Sequence, residues 1–176
     1  GAMVEMIVAI SNGNVIGYKG KMPWGRLHLD LAHFKKITDG QTIVVGFNTA
    51  VSIENELAGR EVLVLTKDPK KLELYPWCRN WRAIESDKLI IEIAKKKRMI
   101  ISGGEKMYNY FLRYATAIHL TRIQAEFEGD TFFPSLFSDE WSIKEYDFHE
   151  VSKKNAYPLS FEKWVRRECV EEKKAA

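Results

Sequence analysis

Asp30 is the residue whose placement first suggests chemistry. It falls one position before Leu31 in a segment where Leu27, Leu31, Phe34 and Ile37 recur at three- and four-residue intervals, the apolar stripe of a helix running to about Asp39 and stopped by Gly40. The carboxylate therefore sits at the border of that stripe, away from the polar face marked by Lys35 and Lys36. Two readings fit such an acid: a first-turn carboxylate complementing the helix dipole, or a ligand-orienting group aimed into a cleft. What precedes it favours the cleft. Residues 14–24 read NVIGYKGKMPW, where Gly17 and Gly20 permit close backbone approach and Pro23 pushes Met22 into an extended conformation beside Trp24. A shaped loop ahead of a half-buried acid has the form of a lid over a bound ligand.

Two later turns offer backbone amides to a phosphate. Ser102-Gly103-Gly104-Glu105 follows an apolar run and leads into Lys106–Leu112, where Met107, Tyr108, Phe111 and Leu112 are spaced as on a helix. Gly46-Phe47-Asn48-Thr49 has the same layout, with Asn48 or Thr49 as the expected N-cap of a short helix to about Ile53. Two glycines alone are a weak signal. Arg60, after Gly59, reads either as a solvated turn residue or as a planar fork for a carboxylate.

These groups need a frame, and the apolar runs supply one. Residues 6–11, 42–45, 61–66, 98–101 and 117–123 read as buried strands alternating with helices, the fourth helix-forming segment being Lys106–Leu112. Ser86 and Asp87 are expected to cap a helix buried through Leu89, Ile90, Ile93 and Ala94, whose end the basic run Lys95–Arg98 complements. Residues 70–82 show no periodicity beyond a short strand near 81–84, and the segments 141–148 and 159–165 pair as an antiparallel edge. The expected fold is an α/β, three-layer domain with a mostly parallel sheet over residues 4–167, after a tag remnant at 1–3 and before a charged, frayed tail at 168–176.

The chain resembles dihydrofolate reductase in six separated stretches in order, the first carrying three motifs. They are N-V-I-G, M-P-W and D-L-x-x-F-K between residues 14 and 35, I-V-V-G at 43–46, L-A-G-R at 57–60, the Gly-Gly turn followed by Tyr108, L-T-R-I at 120–123, and E-G-D-T-F-F-P at 128–134. The W-G-R spacing at 24–26 is similar to the phage-type branch. What the resemblance implies is an eight-stranded, mostly parallel sheet and reduction of 7,8-dihydrofolate to tetrahydrofolate with NADPH. It implies Asp30 as the pterin-binding acid, Trp24 as the wall of a water site and Thr121 as a partner of Asp30. Ile7, Val8, Leu31, Phe34, Ile53 and Leu57 are implied in the folate pocket, with Ser102 beside it and Arg60 on the glutamate carboxylate.

For the cofactor the resemblance implies Ala9, Ile16, Gly17, Gly20, Met22 and Thr131 around the loop, and Gly46, Phe47, Asn48 and Thr49 at the first turn. Leu65, Thr66 and Lys67 follow the third strand; Gly103, Gly104, Glu105, Lys106, Met107 and Tyr108 form the second turn, with a cis Gly103-Gly104 bond implied as well. Two departures stand out: Phe47 replaces a basic residue that faces the 2′-phosphate in many relatives, and Ser102 replaces an aliphatic one, bringing a hydroxyl to the pterin pocket. Thr66 and Lys67 are then the expected phosphate contacts.

Composition narrows the alternatives. The 176 residues, 45% hydrophobic, suit one cored domain, and a formal net charge of +3 interspersed along the chain calls for neither nucleic acid nor membrane. No run approaches a membrane span, Cys78 and Cys169 have no metal spacing, and no metal is expected. The expectation is a cytoplasmic monomer binding dihydrofolate and antifolates. A reductase of a pyrimidine sugar in riboflavin synthesis and a non-catalytic protein keeping the fold are the alternatives. Asp30 with L-A-G-R opposes the first, and Trp24, Asp30 and Thr121 together oppose the second.

Overall fold

The computed structural model describes residues 1–167. In chain order its elements are β1 (Val4–Ile10), β2 (Val15–Gly17), α1 (His28–Thr38), β3 (Thr42–Gly46), α2 (Phe47–Ile53), β4 (Glu61–Leu65) and β5 (Arg82–Ile84). There follow α3 (Asp87–Ala94), β6 (Met99–Ile101), α4 (Glu105–Phe111), β7 (Ala115–Ile123), β8 (Thr131–Phe132), β9 (Trp141–His149) and β10 (Leu159–Arg166). Eight strands form one sheet in the order β5-β4-β3-β6-β1-β7-β10-β9, parallel as far as β7 and antiparallel through β10 and β9. The α/β class and the antiparallel edge thus stand as the patterning requires.

Side-chain alternation along β1 explains the three layers. Val4, Met6, Val8 and Ile10 enter a core with Ile90 and Ala94 of α3 and Met107, Tyr108 and Phe111 of α4. Ile7 enters the opposite core with Ile43, Val45 and Ile100, closed by Ala50 of α2 and by Phe34 and Ile37 of α1. A strand buried on both faces must be apolar at every position it offers to a core, which is why β1, β3 and β4 read as continuous runs.

Several local expectations change. The N-cap of α2 is Gly46 rather than Asn48 or Thr49, because the backbone bends at the strand-ending glycine and the helix is already under way at Phe47. Ser86 caps α3 by position but makes no side-chain bond, and Leu89 is 42% exposed rather than part of the buried stripe. The basic run after α3 does more than face a helix end: Arg98 binds Glu5 through two bonds of 2.9 and 2.7 Å, and Lys97 pairs with Glu61. The unpatterned 70–82 stretch holds two 3-10 turns, Pro69–Leu74 and Pro76–Cys78, before β5. Cys78 is a buried free thiol. Cys169 and the expected frayed tail lie outside the described residues.

A small second sheet, β2 with β8, had no periodic signal because two- and three-residue strands are too short to show one. It ties the loop ahead of α1 to residues 130–133. Gly17 is required there, since a Cβ would approach the Thr131 hydroxyl to 2.5 Å.

Candidate active site

Asp30 lies in the first turn of α1, and that helix crosses the sheet face occupied by Ile7. From β7, buried Thr121 donates its hydroxyl to Asp30 Oδ1 at 2.7 Å. Ala9 of β1 is the register partner of Thr121, so the acid sits over the middle of the sheet. Part of Asp30 still reaches solvent, yet protein surrounds the carboxyl on most sides. Burial raises its pKa above the ordinary carboxylate range, and the Thr121 bond opposes that rise without cancelling it. An acid so placed can take hydrogen bonds from a neutral, planar donor pair.

Around it the expected pocket residues fall into distinct classes. Ile7 and Leu57 are buried on the α1 face, and Phe34 and Ile53 pack beside them. Leu31 is 38% exposed, an apolar side chain held at the surface next to the acid. Val8 is a correction: by strand alternation its side chain enters the α3 and α4 core, so only its backbone faces this side. Trp24 is 6% exposed and packs with Leu27, Ile123 and Leu159, its ring edge-on to Phe127 at 5.9 Å. It forms a fixed wall. Met22, by contrast, is 50% exposed, and Gly20 takes a φ of 79° that glycine adopts without strain.

Arg60 is braced from two directions. Its Nε donates to the carbonyls of Leu57 and Ala58 at 3.3 and 3.1 Å, and Nη1 donates to Thr38 Oγ1 at 3.3 Å. Those bonds fix the guanidinium plane between the α1 C-terminus and the turn before β4, in a cleft of about 380 Å³ shared with Leu57, Trp77 and Trp81. The brace leaves Nη2 without a protein partner among the described residues, as a carboxylate clamp requires. The Ser102 hydroxyl has a partner of its own, because its Oγ donates to the Ile100 carbonyl at 3.3 Å.

The two glycine turns converge. The Gly46 amide donates to the Gly103 carbonyl at 2.9 Å, and the Gly103-Gly104 peptide bond is cis, as the resemblance implies. A Cβ on Gly46 would meet Met107 at 3.3 Å, and one on Gly104 would meet the Thr49 hydroxyl at 3.0 Å. Gly103 has a φ of 114° with the Tyr108 and Thr49 hydroxyls beside it. Tyr108 is buried and donates to the Ile7 carbonyl at 2.7 Å, joining this turn to β1; burial and the Asp30 charge push its pKa up. The bare backbone and neighbouring hydroxyls fit a dinucleotide laid against the turns. Asn48, beside them in the first turn of α2, is exposed.

Beyond the turns, Leu65, Thr66, Lys67, Lys106 and Met107 line a cleft of about 370 Å³. Sequence reasoning missed its other wall, Glu85, Asp87, Tyr110 and Phe111; the strand-then-helix switch at 84–87 marked that place without marking its chemistry. Glu105 is engaged elsewhere through its side chain. Its carboxylate accepts the Phe132 amide at 2.6 Å, which ties the side chain to the β2–β8 sheet and leaves only its backbone at the turn. Phe47 packs edge-on to Tyr75 at 6.3 Å. Ile16 is half-buried against the core of α3 and α4, and Thr131 lies opposite Gly17.

The comparisons with known proteins agree with one another. A family model described as dihydrofolate reductase matches residues 3–166. The dihydrofolate reductase of Haemophilus influenzae is 35% identical over 158 residues, covering 89% of this chain and 94% of that protein. Dihydrofolate reductase type 3 of Salmonella typhimurium is 33% identical, covering 90% and 95%. A solved dihydrofolate reductase from Enterococcus faecalis, complexed with NADP(H) and RAB-propyl, superposes with a TM-score of 0.84 at 30% identity, covering 94% of this chain and 97% of the other.

Proposed function

The chain belongs to the dihydrofolate reductase family, and from that premise we infer that it reduces 7,8-dihydrofolate to 5,6,7,8-tetrahydrofolate, with bound NADPH supplying the hydride for C6. The observation that carries the substrate assignment is the buried Asp30 carboxyl held by Thr121 at 2.7 Å. With Thr121 donating to Oδ1, Oδ2 remains to accept from the N3 side of the pterin, and the 2-amino group can reach the remaining lone pairs of the pair. Asp30 thereby orients the ring. Burial raises its pKa above the ordinary carboxylate value, the direction that favours proton delivery towards N5 through a water that Trp24 walls in.

Ile7, Leu31, Phe34, Ile53 and Leu57 then line the apolar body of the substrate site, and Arg60 takes the glutamate α-carboxylate. Gly46, Thr49, Gly103, Gly104 and Tyr108 hold the dinucleotide backbone, while Thr66, Lys67 and Lys106 face the adenosine phosphate end. Antifolates of the diaminopyrimidine class compete at Asp30 by the same donor pair. No helix among the described residues is long and apolar enough to cross a membrane. We take the protein to act as a cytoplasmic monomer without a nucleic-acid partner, a reading supported by its interspersed charge. Mixing it with dihydrofolate and NADPH tests the assignment: NADPH absorbance should fall only when both are present. Consumption of NADPH with a pyrimidine sugar and none with dihydrofolate would overturn it.

A further inference from the structure

The cleft beyond the end of β4 is balanced in charge. Two cations, Lys67 and Lys106, and two anions, Glu85 and Asp87, line the same space of about 370 Å³. Glu85 follows β5 and Asp87 opens α3, so both acids are carried on fixed backbone. Tyr110 lies on the same wall, and its hydroxyl beside the Asp87 carboxylate holds that pKa below the ordinary value. A doubly charged phosphate entering this cleft meets as many negative side chains as positive ones. A bare ribose meets acceptors for its hydroxyls.

We propose that Glu85 and Asp87 are specificity-determining residues that keep discrimination between NADPH and NADH low, by opposing the 2′-phosphate and accepting hydrogen bonds from the free ribose hydroxyls. The proposal rests on the reductase reading for its physiological meaning but not for its test. Two like charges facing the phosphate weaken its binding through space, an effect that added salt screens. The lysines act in the opposite sense, so the two pairs of side chains predict shifts of opposite sign.

Calorimetric titration of the full chain with adenosine 2′,5′-bisphosphate and with 5′-AMP reads the preference without turnover. The Glu85→Gln/Asp87→Asn variant should raise the bisphosphate-to-monophosphate affinity ratio by roughly tenfold at low salt, and the gain should shrink at high salt. Lys67→Gln should lower the same ratio. Because Asp87 also complements the α3 dipole, Glu85→Gln alone, outside the helix, provides a second reading and should give part of the rise. A ratio unchanged by both acid variants, or equal tightening of the two ligands, would overturn the proposal. Failure of the reductase reading would register elsewhere, as no turnover of dihydrofolate by the unmodified chain with either nicotinamide cofactor.

Discussion

Replacing Asp30 by asparagine should disable the protein and stabilise it at once. The carboxyl is enclosed by protein, and its pKa is raised because burial outweighs the single 2.7 Å bond from Thr121. An acid whose folded pKa lies above its unfolded value contributes stability that is fully present below the unfolded pKa, near 4, and lost as pH rises through the folded one. At pH 8 the native state therefore carries an incompletely solvated charge. The substituted side chain retains the Thr121 bond, since its amide oxygen accepts as the carboxylate did, and it removes the charge. The expected gain at pH 8 is on the order of 1–2 kcal/mol, the scale of relieving one under-partnered buried polar group. Urea unfolding at pH 8 and at pH 4 measures it, and the difference should close at the lower pH. Turnover should fall by about 100-fold or more, as expected when an acid of this kind is lost. A variant less stable than the parent at pH 8, or one that retained turnover, would refute the reasoning.

Other perturbations test the surrounding structure. Thr121→Val deletes a bond to a charged group and should cost about 1.5–3 kcal/mol in urea unfolding while raising KM for dihydrofolate, with Thr121→Ser restoring both. His33, stacked on Phe161 at 4.0 Å, has its pKa lowered to about 4 by burial and by the nearby His119 and Lys36 charges, Asp147 opposing. A base depressed in this way destabilises the fold as pH falls from its unfolded value near 6.5 towards 4. His33→Phe should flatten that limb by about 1 kcal/mol, a figure reduced for the ring's partial exposure, and an unchanged acid limb would exclude His33 as its source. Gly129→Ala should lower the melting temperature, because a Cβ there collides with the Val15 side chain and overpacking costs about 1–3 kcal/mol. Lys67→Ala should raise KM for NADPH more than for NADH, by up to about tenfold, and equal effects would remove Lys67 from the phosphate contacts.

Much of this arrangement was legible in the sequence for identifiable reasons. Strands buried on both faces leave continuous apolar runs, so β1, β3 and β4 could be placed to within a residue or two. Asp30 betrayed itself by interrupting a stripe. The missing parts depend on geometry: which face Val8 takes follows from where α3 and α4 pack, and Ser102 turns its hydroxyl back on the Ile100 carbonyl two residues before it. The engagement of the Glu105 side chain was hidden because its target, the Phe132 amide, is 27 residues away. The cleft acids were invisible for a related reason. Glu85 and Asp87 look like a helix start until Lys67 and Lys106 are brought into the same cleft.

The strand order has a consequence for how the chain comes into being. β1 is made before the other strands of this sheet, yet it lies between β6 and β7, pairing Val4 with Met99 and Val4 to Ile10 with residues 115–122. Its apolar side chains have no lasting neighbour until the segment to Ile123 has been made, while β3 and β4, adjacent in both sequence and space, can associate early. Non-local pairing of this kind folds slowly and leaves hydrophobic edges uncovered in the interim. The newly made β1 segment is therefore the stretch on which a holding chaperone would act. A pause in synthesis before β7 should lengthen that exposure more than a pause after it.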